Sequence, residues 1–531
     1  MNNQSATETP RRTASSFGRL FGVPWRWAKR HPLRFALLCL AAVIAGFYAE
    51  EDWRGARAWK QYQTEAAARG LSLDYATFIP KPVPDDENFA ATLYMSTFMH
   101  PGGAFLTRDL YDHAADNVTG PLAAKEKGRR HFTDLVAWQQ AAVEWENGEL
   151  HQKFSTDKTD LASRAAAAPK VLEGLQPNAG LFAQLRAGST RKYSRFPIAY
   201  NLDQPWLTLL PHLAPVRRTC EHLSLKACAE LAAGQSDEAL ADVKLMLALA
   251  DSVKTEPALI SFLVRMICVQ TTIQPVWEGL AEHGWTDAQL QELQASFSAY
   301  NFLADLDHGL GAERGFGTLI CNNFGSEASM LYQDLRMNGD DQASGAAMVL
   351  KAVGWLFPSG WDDFEKLNYN RAFDEITKDA FDPALKTVSP SHAQTVEEGK
   401  ELFPSAAGLS PAAILQHRVM SSFMTGTLGR YISRAAPPQV AVEQAALACD
   451  LERYRLGNGQ FPETLDALIP QFIARAPNDV ITGKPYQYRR TADGQFILYS
   501  VGWNGKDDGG VPGDSMFDMK KGDWVWEYPS R

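Results

Sequence analysis

Cysteine is scarce. Six occur in 531 residues (Cys39, Cys220, Cys228, Cys268, Cys321 and Cys449), with no CxxC pair and no zinc-ligand spacing. Cys220 and Cys228 are separated by roughly 12 Å of helix axis, too far for a bridge within one straight helix. The spacing specifies no disulfide, although an extracytoplasmic location would permit one. Most of the six are expected to be small buried core residues. None of the eleven histidines pairs at metal-ligand spacing. Missing too are G-x-x-x-x-G-K-[ST], H-E-x-x-H and G-x-S-x-G, so nucleotide, zincin and hydrolase-elbow readings lose their motifs.

Positive charge is thin over most of the chain. Residues 1–34 hold seven Lys/Arg against Glu8 alone, a net +6, while the other 497 residues carry 45 basic and 61 acidic groups, a net −16. Nucleic-acid binding requires clustered positive charge to meet the phosphates, and a body this acidic argues against it. Apolar residues make up 45% and charged residues 21%, a globular composition, and the length predicts at least two folded units.

Behind the basic segment stands FALLCLAAVIAGFYA, residues 35–49, without a charge. As a helix it spans roughly 22 Å against a hydrocarbon core of about 30 Å. Leu33 can extend it while Arg34 snorkels, and Trp25 and Trp27 on one side and Tyr48 and Trp53 on the other suit the headgroup level. The pattern predicts a basic cytoplasmic tail (1–34), a single transmembrane anchor (35–53) and a body outside the cytoplasm of a bacterial cell. Glu50, Glu51 and Asp52 complete the charge asymmetry that sets this orientation. Two other readings stay open. One is a cleaved signal with Val43 and Ala45 at the −3 and −1 positions, the other a buried core helix.

Residues 54–75 read as a charged helix, followed by the stiff linker IPKPVPDDENF, so that 54–87 forms a juxtamembrane segment. An α-helical domain is expected over 88–435. Leu240, Val243 and Leu247 follow one helix face, Gly234 before Ser236 and Asp237 reads as a stop and restart, and Thr286 with Gln289 reads as a capping box. ACAELAAGQSDEALADVKLMLAL resembles half a tetratricopeptide unit. No second copy follows at that period, so an irregular helical body is expected. Over 340–435 Gly and Pro interrupt short apolar runs, as in GWLFPSGWDDF and ELFPSAAGLSP, and AAPP at 435–438 reads as a boundary. Beyond it come a helix from Val440 to Leu456 and two strands, YQYRR and FILYSVGW, joined through Asp493 and Gly494. The expected class is mainly α: one N-terminal transmembrane helix, an irregular helical body and a small C-terminal α+β module over 436–531.

That module resembles the soluble part of the major pseudopilin of type II secretion. The resemblance rests on Tyr454, Leu456, Asn458, Gly459, Phe461 and Pro462, then Gly483, Pro485, Tyr486 and Tyr488. Ser500, Gly502, Asn504, Gly505, Gly509 and Gly510 complete the ordered blocks. The N-terminus departs from that family, having no Gly-Phe-Thr-Leu-like segment with Glu five residues in. The layout as a whole resembles a group of uncharacterised bacterial membrane-anchored proteins whose helical body, with segments like EPALISFLVRM and GAERGFG, ends in such a module. These resemblances imply a fold and a location, and attach no activity.

Two clusters carry chemistry. ADLDHGLGAERGFG places Asp305, Asp307, His308, Glu313 and Arg314 within ten positions, and on a helix Asp305 and His308 share a face as an acid–base pair could. The alternative is an ion-paired helix surface whose four glycines allow close helix contact. The other cluster, NGKDDGGVPGDSMFD, offers Asn504, Asp507, Asp508, Asp514 and Asp518 as oxygen donors in a Gly-rich loop. The pseudopilin resemblance implies calcium there, and the alternative is a solvated acidic turn. Trp503, Trp524 and Trp526 are expected to pack the surrounding strands. The functional expectation is a non-enzymatic interaction or scaffold protein of the cell envelope, with protein or envelope partners. An envelope hydrolase using Asp305, His308 and Glu313, or a secretion accessory that docks pseudopilins, are the alternatives.

Overall fold

The computed structural model describes residues 28–100, 109–118, 128–148, 153–156, 158, 160–323, 357–397, 415–425 and 428–529. The basic lead-in through residue 27, with Trp25 and Trp27, and the segment ELFPSAAGLSP lie outside them. Of the described residues, 62% are helical and 6% are in strands, in two small sheets. The chain divides into two compact units, one from Met1–Thr64 with Asn323–Leu367, the other from Glu65–Asn322 with Asn368–Arg531.

Helices of ten residues or more are numbered here in chain order. They are α1 (Pro32–Ala68), α2 (Leu135–Glu146), α3 (Leu161–Leu175), α4 (Ala179–Gly188), α5 (Leu213–Ala232) and α6 (Ser236–Asp251). There follow α7 (Leu259–Ala281), α8 (Asp287–Ser298), α9 (Phe302–Ile320), α10 (Gly360–Thr377) and α11 (Leu428–Asn458).

The apolar run and the charged segment behind it form one uninterrupted helix, α1, which ends at Ala68 ahead of Gly70 (φ +74°) rather than continuing to residue 75. Nothing between Ala36 and Trp59 breaks the helical hydrogen bonding, since the stretch contains no proline. Over its apolar part the side chains are bare: Leu33 is 81% exposed, Val43 69% and Leu37 65%. Farther along, packing begins. Asp52 Oδ1 accepts the Gly360 N–H at 2.7 Å, a carboxylate at the positive end of α10, and Glu51 Oε2 accepts from Trp361 Nε1 at 3.1 Å. Gly55 lies against Gly360 so closely that a Cβ on it would stand 2.3 Å from the Gly360 carbonyl oxygen.

The second unit is built around α5, α6, α7 and α11. Gly234, at φ +75°, ends α5, and the Gln235 N–H returns to the Glu230 carbonyl at 2.8 Å, so α6 can restart at Ser236. Leu240, Val243 and Leu247 are buried on one face of α6, as their spacing predicts. The capping box of α8 forms from both sides, with Thr286 accepting from the Gln289 N–H and Gln289 accepting from the Thr286 N–H. None of the six cysteines, all among the described residues, forms a disulfide; five are buried and Cys39, on α1, is exposed.

The AAPP stretch lies inside a helix. α11 runs through Pro437 and Pro438 for 31 residues. A proline removes one backbone donor and disfavours helix locally, but here tertiary packing outweighs propensity. Ala435, Ala436, Pro438, Val440 and Ala441 are all buried, and Gln439 accepts the Phe302 N–H at 2.7 Å. The C-terminal strands are where the sequence places them. β3 (Gln487–Arg490) pairs antiparallel with β4 (Phe496–Ser500) across the Asp493–Gly494 turn. A third strand, β5 (Trp524–Trp526), pairs with β4, and Gln444 Nε2 of α11 donates to the Trp524 carbonyl at 2.7 Å. The short β1 (Phe381–Asp382) and β2 (Thr387–Val388) form the other sheet.

One buried cation ties α3 to α7. Arg164 is fully buried, forms ion pairs with Glu278 and Glu282, and lies 4.5 Å from the Phe132 ring centroid. Glu278 is further satisfied by the Thr133 N–H and Gln274 Nε2, each at 2.8 Å. Removing the guanidinium strands two carboxylates in a dry interior. Arg164→Met should therefore cost about 3–5 kcal/mol, measured as a loss of denaturation midpoint in urea at unchanged slope. A loss below about 1 kcal/mol would mean that the pair is solvated.

Candidate functional site

The residues singled out around α9 do not converge on one point. Asn301 caps the helix, accepting from the Ala304 N–H at 3.1 Å. Asp305 ion-pairs with Arg265, whose Nε also donates to Asp251 at 2.9 Å and whose guanidinium lies over Tyr300 and Phe302. His308 turns to Phe78, ring centroids 5.6 Å apart. Asp305 thus holds an arginine rather than an imidazole. Arg314 is buried, donating to Asp374 at 2.7 Å over the Phe373 ring. Close packing is the use made of the glycines: a Cβ at Gly315 would stand 2.8 Å from the Tyr75 backbone nitrogen, and one at Gly317 would overlap the Tyr369 ring.

Glu313 is different. Its backbone carbonyl accepts from the Tyr369 hydroxyl at 2.9 Å, while its carboxyl has no hydrogen-bond or ion-pair partner among the described residues. It lines a cavity of about 250 Å³ walled by Tyr75, Tyr200, Trp206, Phe316 and Tyr431. Burial pushes the Glu313 carboxyl up to about 7.

A second carboxylate lines the same cavity. Glu256 is buried, with Oε1 2.7 Å from His212 Nε2 and Oε2 accepting from the Ser261 hydroxyl. His212 stacks on Phe196 at 4.1 Å. The carboxylate stands between serine and imidazole, so the imidazole contacts Glu256 and not the Ser261 oxygen, and the two contacts fix Glu256 in place. The Tyr75 hydroxyl donates to the Pro257 carbonyl at 3.3 Å, closing that wall.

Sequence reasoning reached Glu313 but not Glu256 or the aromatic wall. Tyr75, Tyr200, Glu256 and Tyr431 come from four stretches far apart in the chain, and no spacing links them. The one local signal is Glu-Pro at 256–257, a dipeptide that disfavours helix at Glu256.

A larger cavity, about 450 Å³, lies along α11, where Glu443 and Asp450 share a face one heptad apart. Burial pushes each up to about 7. Glu443 is held by the Tyr486 hydroxyl and by Gln439 Nε2, at 2.7 and 2.9 Å.

The C-terminal loop separates its candidate donors into two groups. In the first, Asp507 accepts from the Tyr499 hydroxyl at 3.0 Å and the Gly509 N–H at 2.9 Å, while Asp508 accepts from Asn504 Nδ2 at 3.2 Å. Asp523, which sequence reasoning missed, lies buried beside them and accepts the Asp508 and Gly510 N–H groups at 3.2 and 2.7 Å. In the second group, Asp514 ion-pairs with Lys521 at 2.9 Å, and Asp518 accepts the Asp514, Lys520 and Lys521 N–H groups. Among the described residues, no three His, Cys, Asp or Glu side chains converge as a metal-binding group. Trp503 and Trp524 stack at 6.5 Å, and Trp524 and Trp526 are fully buried in the sheet.

No protein-family model, curated protein or solved structure matches the chain.

The Glu313 carboxyl fixes the sign of one pH effect. Folding raises its affinity for a proton, so the native chain holds a proton between pH about 4.5 and 7 that the unfolded chain has released. Its contribution to stability is therefore greatest at low pH and falls as pH rises through that window. Glu313→Gln, which cannot ionise, should raise the thermal midpoint of the full-length chain at pH 8 by a few degrees, at about 1 °C per kcal/mol for a unit of this size. At pH 5 it should leave the midpoint close to wild type. A gain at pH 5 equal to that at pH 8 would remove ionisation as the cause.

Proposed function

We propose that the chain is a single-pass membrane protein of the bacterial cell envelope, with its N-terminus cytoplasmic and its body outside. We further propose that it works as a non-enzymatic interaction or scaffold protein. One observation carries this reading. Among the described residues, two helices, α1 and α7, are long and apolar enough to cross a membrane; the apolar window of α7 is 67% buried within the protein, that of α1 0%. Soluble proteins rarely leave so long an apolar surface bare, and lipid is the solvent that would cover it. The +6 lead-in and the acidic exit support the orientation. The scaffold reading is further supported by the commitment of Asp305 to Arg265 and of Arg314 to Asp374. The pseudopilin-like reading of 436–531 rests on the residues quoted above, and with it the proposal that the partners are other envelope proteins. A reporter active only outside the cytoplasm, fused after Arg531, should be active and sediment with membranes. An inactive fusion would reverse the orientation, and an active soluble one would favour cleavage near Ala45.

Calcium belongs to this proposal at the first half of the loop, where Asn504, Asp507 and Asp508 gather beside the buried Asp523. Like charges held together there would be relieved by a divalent cation. Full-length protein should melt higher in millimolar calcium than in chelator, by the equivalent of about 2.7 kcal/mol at a hundredfold excess over Kd. Asp508→Ala should abolish the difference. Identical melting of the wild type in calcium and chelator would leave an acidic turn.

A further inference from the structure

We propose that the cavity beside α9 binds an organic cation, an ammonium group held between the Glu313 carboxylate and the aromatic wall. This goes beyond the anchoring and scaffold reading and does not depend on it.

Three observations point to that ligand class. First, Glu313 presents a carboxyl to the cavity with no hydrogen-bond or ion-pair partner among the described residues. A half-buried carboxylate without a counter-charge loses hydration that nothing in the cavity replaces, and a cationic ligand would supply that partner. Second, the wall is aromatic. Tyr75, Tyr200, Trp206, Phe316 and Tyr431 converge on about 250 Å³, and the negative faces of such rings attract ammonium groups, most strongly where water is excluded. Third, the described lining includes two glutamates and no lysine, arginine or histidine. An anionic ligand would meet like charge. A neutral sugar could use the rings but would leave Glu313 uncompensated.

The charged and titratable groups facing Glu313 are accounted for on each neighbouring element. Tyr75 precedes α9 in the chain and packs on it, its hydroxyl spent on the Pro257 carbonyl. Tyr369 on α10 donates to the Glu313 backbone carbonyl, leaving the carboxyl untouched. Tyr431 on α11 has Arg434 near it as well as Glu313. Glu256, ahead of α7, is occupied by His212 and Ser261. Beside Glu313 on its own helix, Arg314 turns to Asp374. With burial raising the Glu313 carboxyl to about 7, cation binding must release its proton, so affinity should rise from pH 6 to pH 8.

The ammonium could come from a free small amine or from a lipid headgroup, and the test separates the two. Full-length protein in a maltoside detergent at pH 8 is titrated with choline chloride and, in parallel, with 3,3-dimethyl-1-butanol, its neutral isostere. Calorimetry is the readout, with the change in total tryptophan fluorescence that Trp206→Leu removes as a second. Choline should saturate, with the isostere at least tenfold weaker, and affinity should drop at least fivefold at pH 6. Glu313→Gln, which preserves shape, should lose at least tenfold. Trp206→Leu should weaken choline while leaving the circular dichroism unchanged. Repeating the titration in nanodiscs locates the source: choline binding lost in phosphatidylcholine but retained in phosphatidylglycerol assigns a lipid headgroup, and binding retained in both assigns a free amine. Equal affinity for choline and its isostere, full affinity in folded Glu313→Gln, or no saturation by choline or tetramethylammonium would overturn the proposal.

Discussion

The structure of the larger unit depends on burying α11 on nearly every side. From Ala435 to Glu452 almost every residue of that helix is inaccessible, including Gln439, Glu443, Gln444, Asp450 and Glu452. Apolar burial drives such packing, but polar groups on the same helix make it conditional, because each needs a partner from a particular neighbour. Gln439 finds the start of α9, Glu443 the Tyr486 hydroxyl, Gln444 the β5 backbone, and Glu452 both Arg455 and His283. The helical body and the C-terminal sheet are therefore two coats on one rod. Neither can be removed without exposing groups that the other leaves unpaired.

Buried acids recur through this unit. Glu313, Glu443 and Asp450 are each raised to about 7, in every case chiefly by desolvation. Lys386 stands 3.8 Å from Glu443 and Arg453 3.7 Å from Asp450, both at the limit of an ion pair, and burial outweighs them. Where cations are present they are spoken for: Arg164 holds Glu278 and Glu282, Arg265 holds Asp251 and Asp305, and Arg314 holds Asp374. Glu443 and Asp450 face one cavity, and Glu313 faces another.

What the sequence revealed follows from how local each determinant is. The α8 capping box, the Gly234 stop and the Asp493–Gly494 turn are set by a few adjacent residues, and all three were legible. The helix through AAPP was not, because its stability comes from α7, α8 and α9 pressing on it and not from the propensity of Pro437 and Pro438. The third strand escaped because Trp524 to Trp526 is only three residues long and is defined by pairing with β4. Of the candidate site, Glu313 could be named from its charged cluster. Its separation from Asp305 and His308 could not, since that depends on Arg265 and Phe78, from segments well upstream. Asp523 was passed over because a lone acid ahead of a tryptophan shows nothing of the two backbone N–H groups it collects.

The contact between Gly55 and Gly360, with Asp52 at the α10 terminus, has a consequence in time. Asp52 and Gly360 are 308 positions apart. At synthesis rates of ~5–20 residues per second, the later segment emerges roughly 15–60 s after the earlier one. For that interval the Glu51–Gly55 turn of α1 waits with its docking surface open, far longer than the microseconds in which a helix forms. A glycine is suited to the wait as well as to the contact. It offers no side chain to a passing chaperone or a wrong neighbour, and it admits only a partner whose backbone can come equally close.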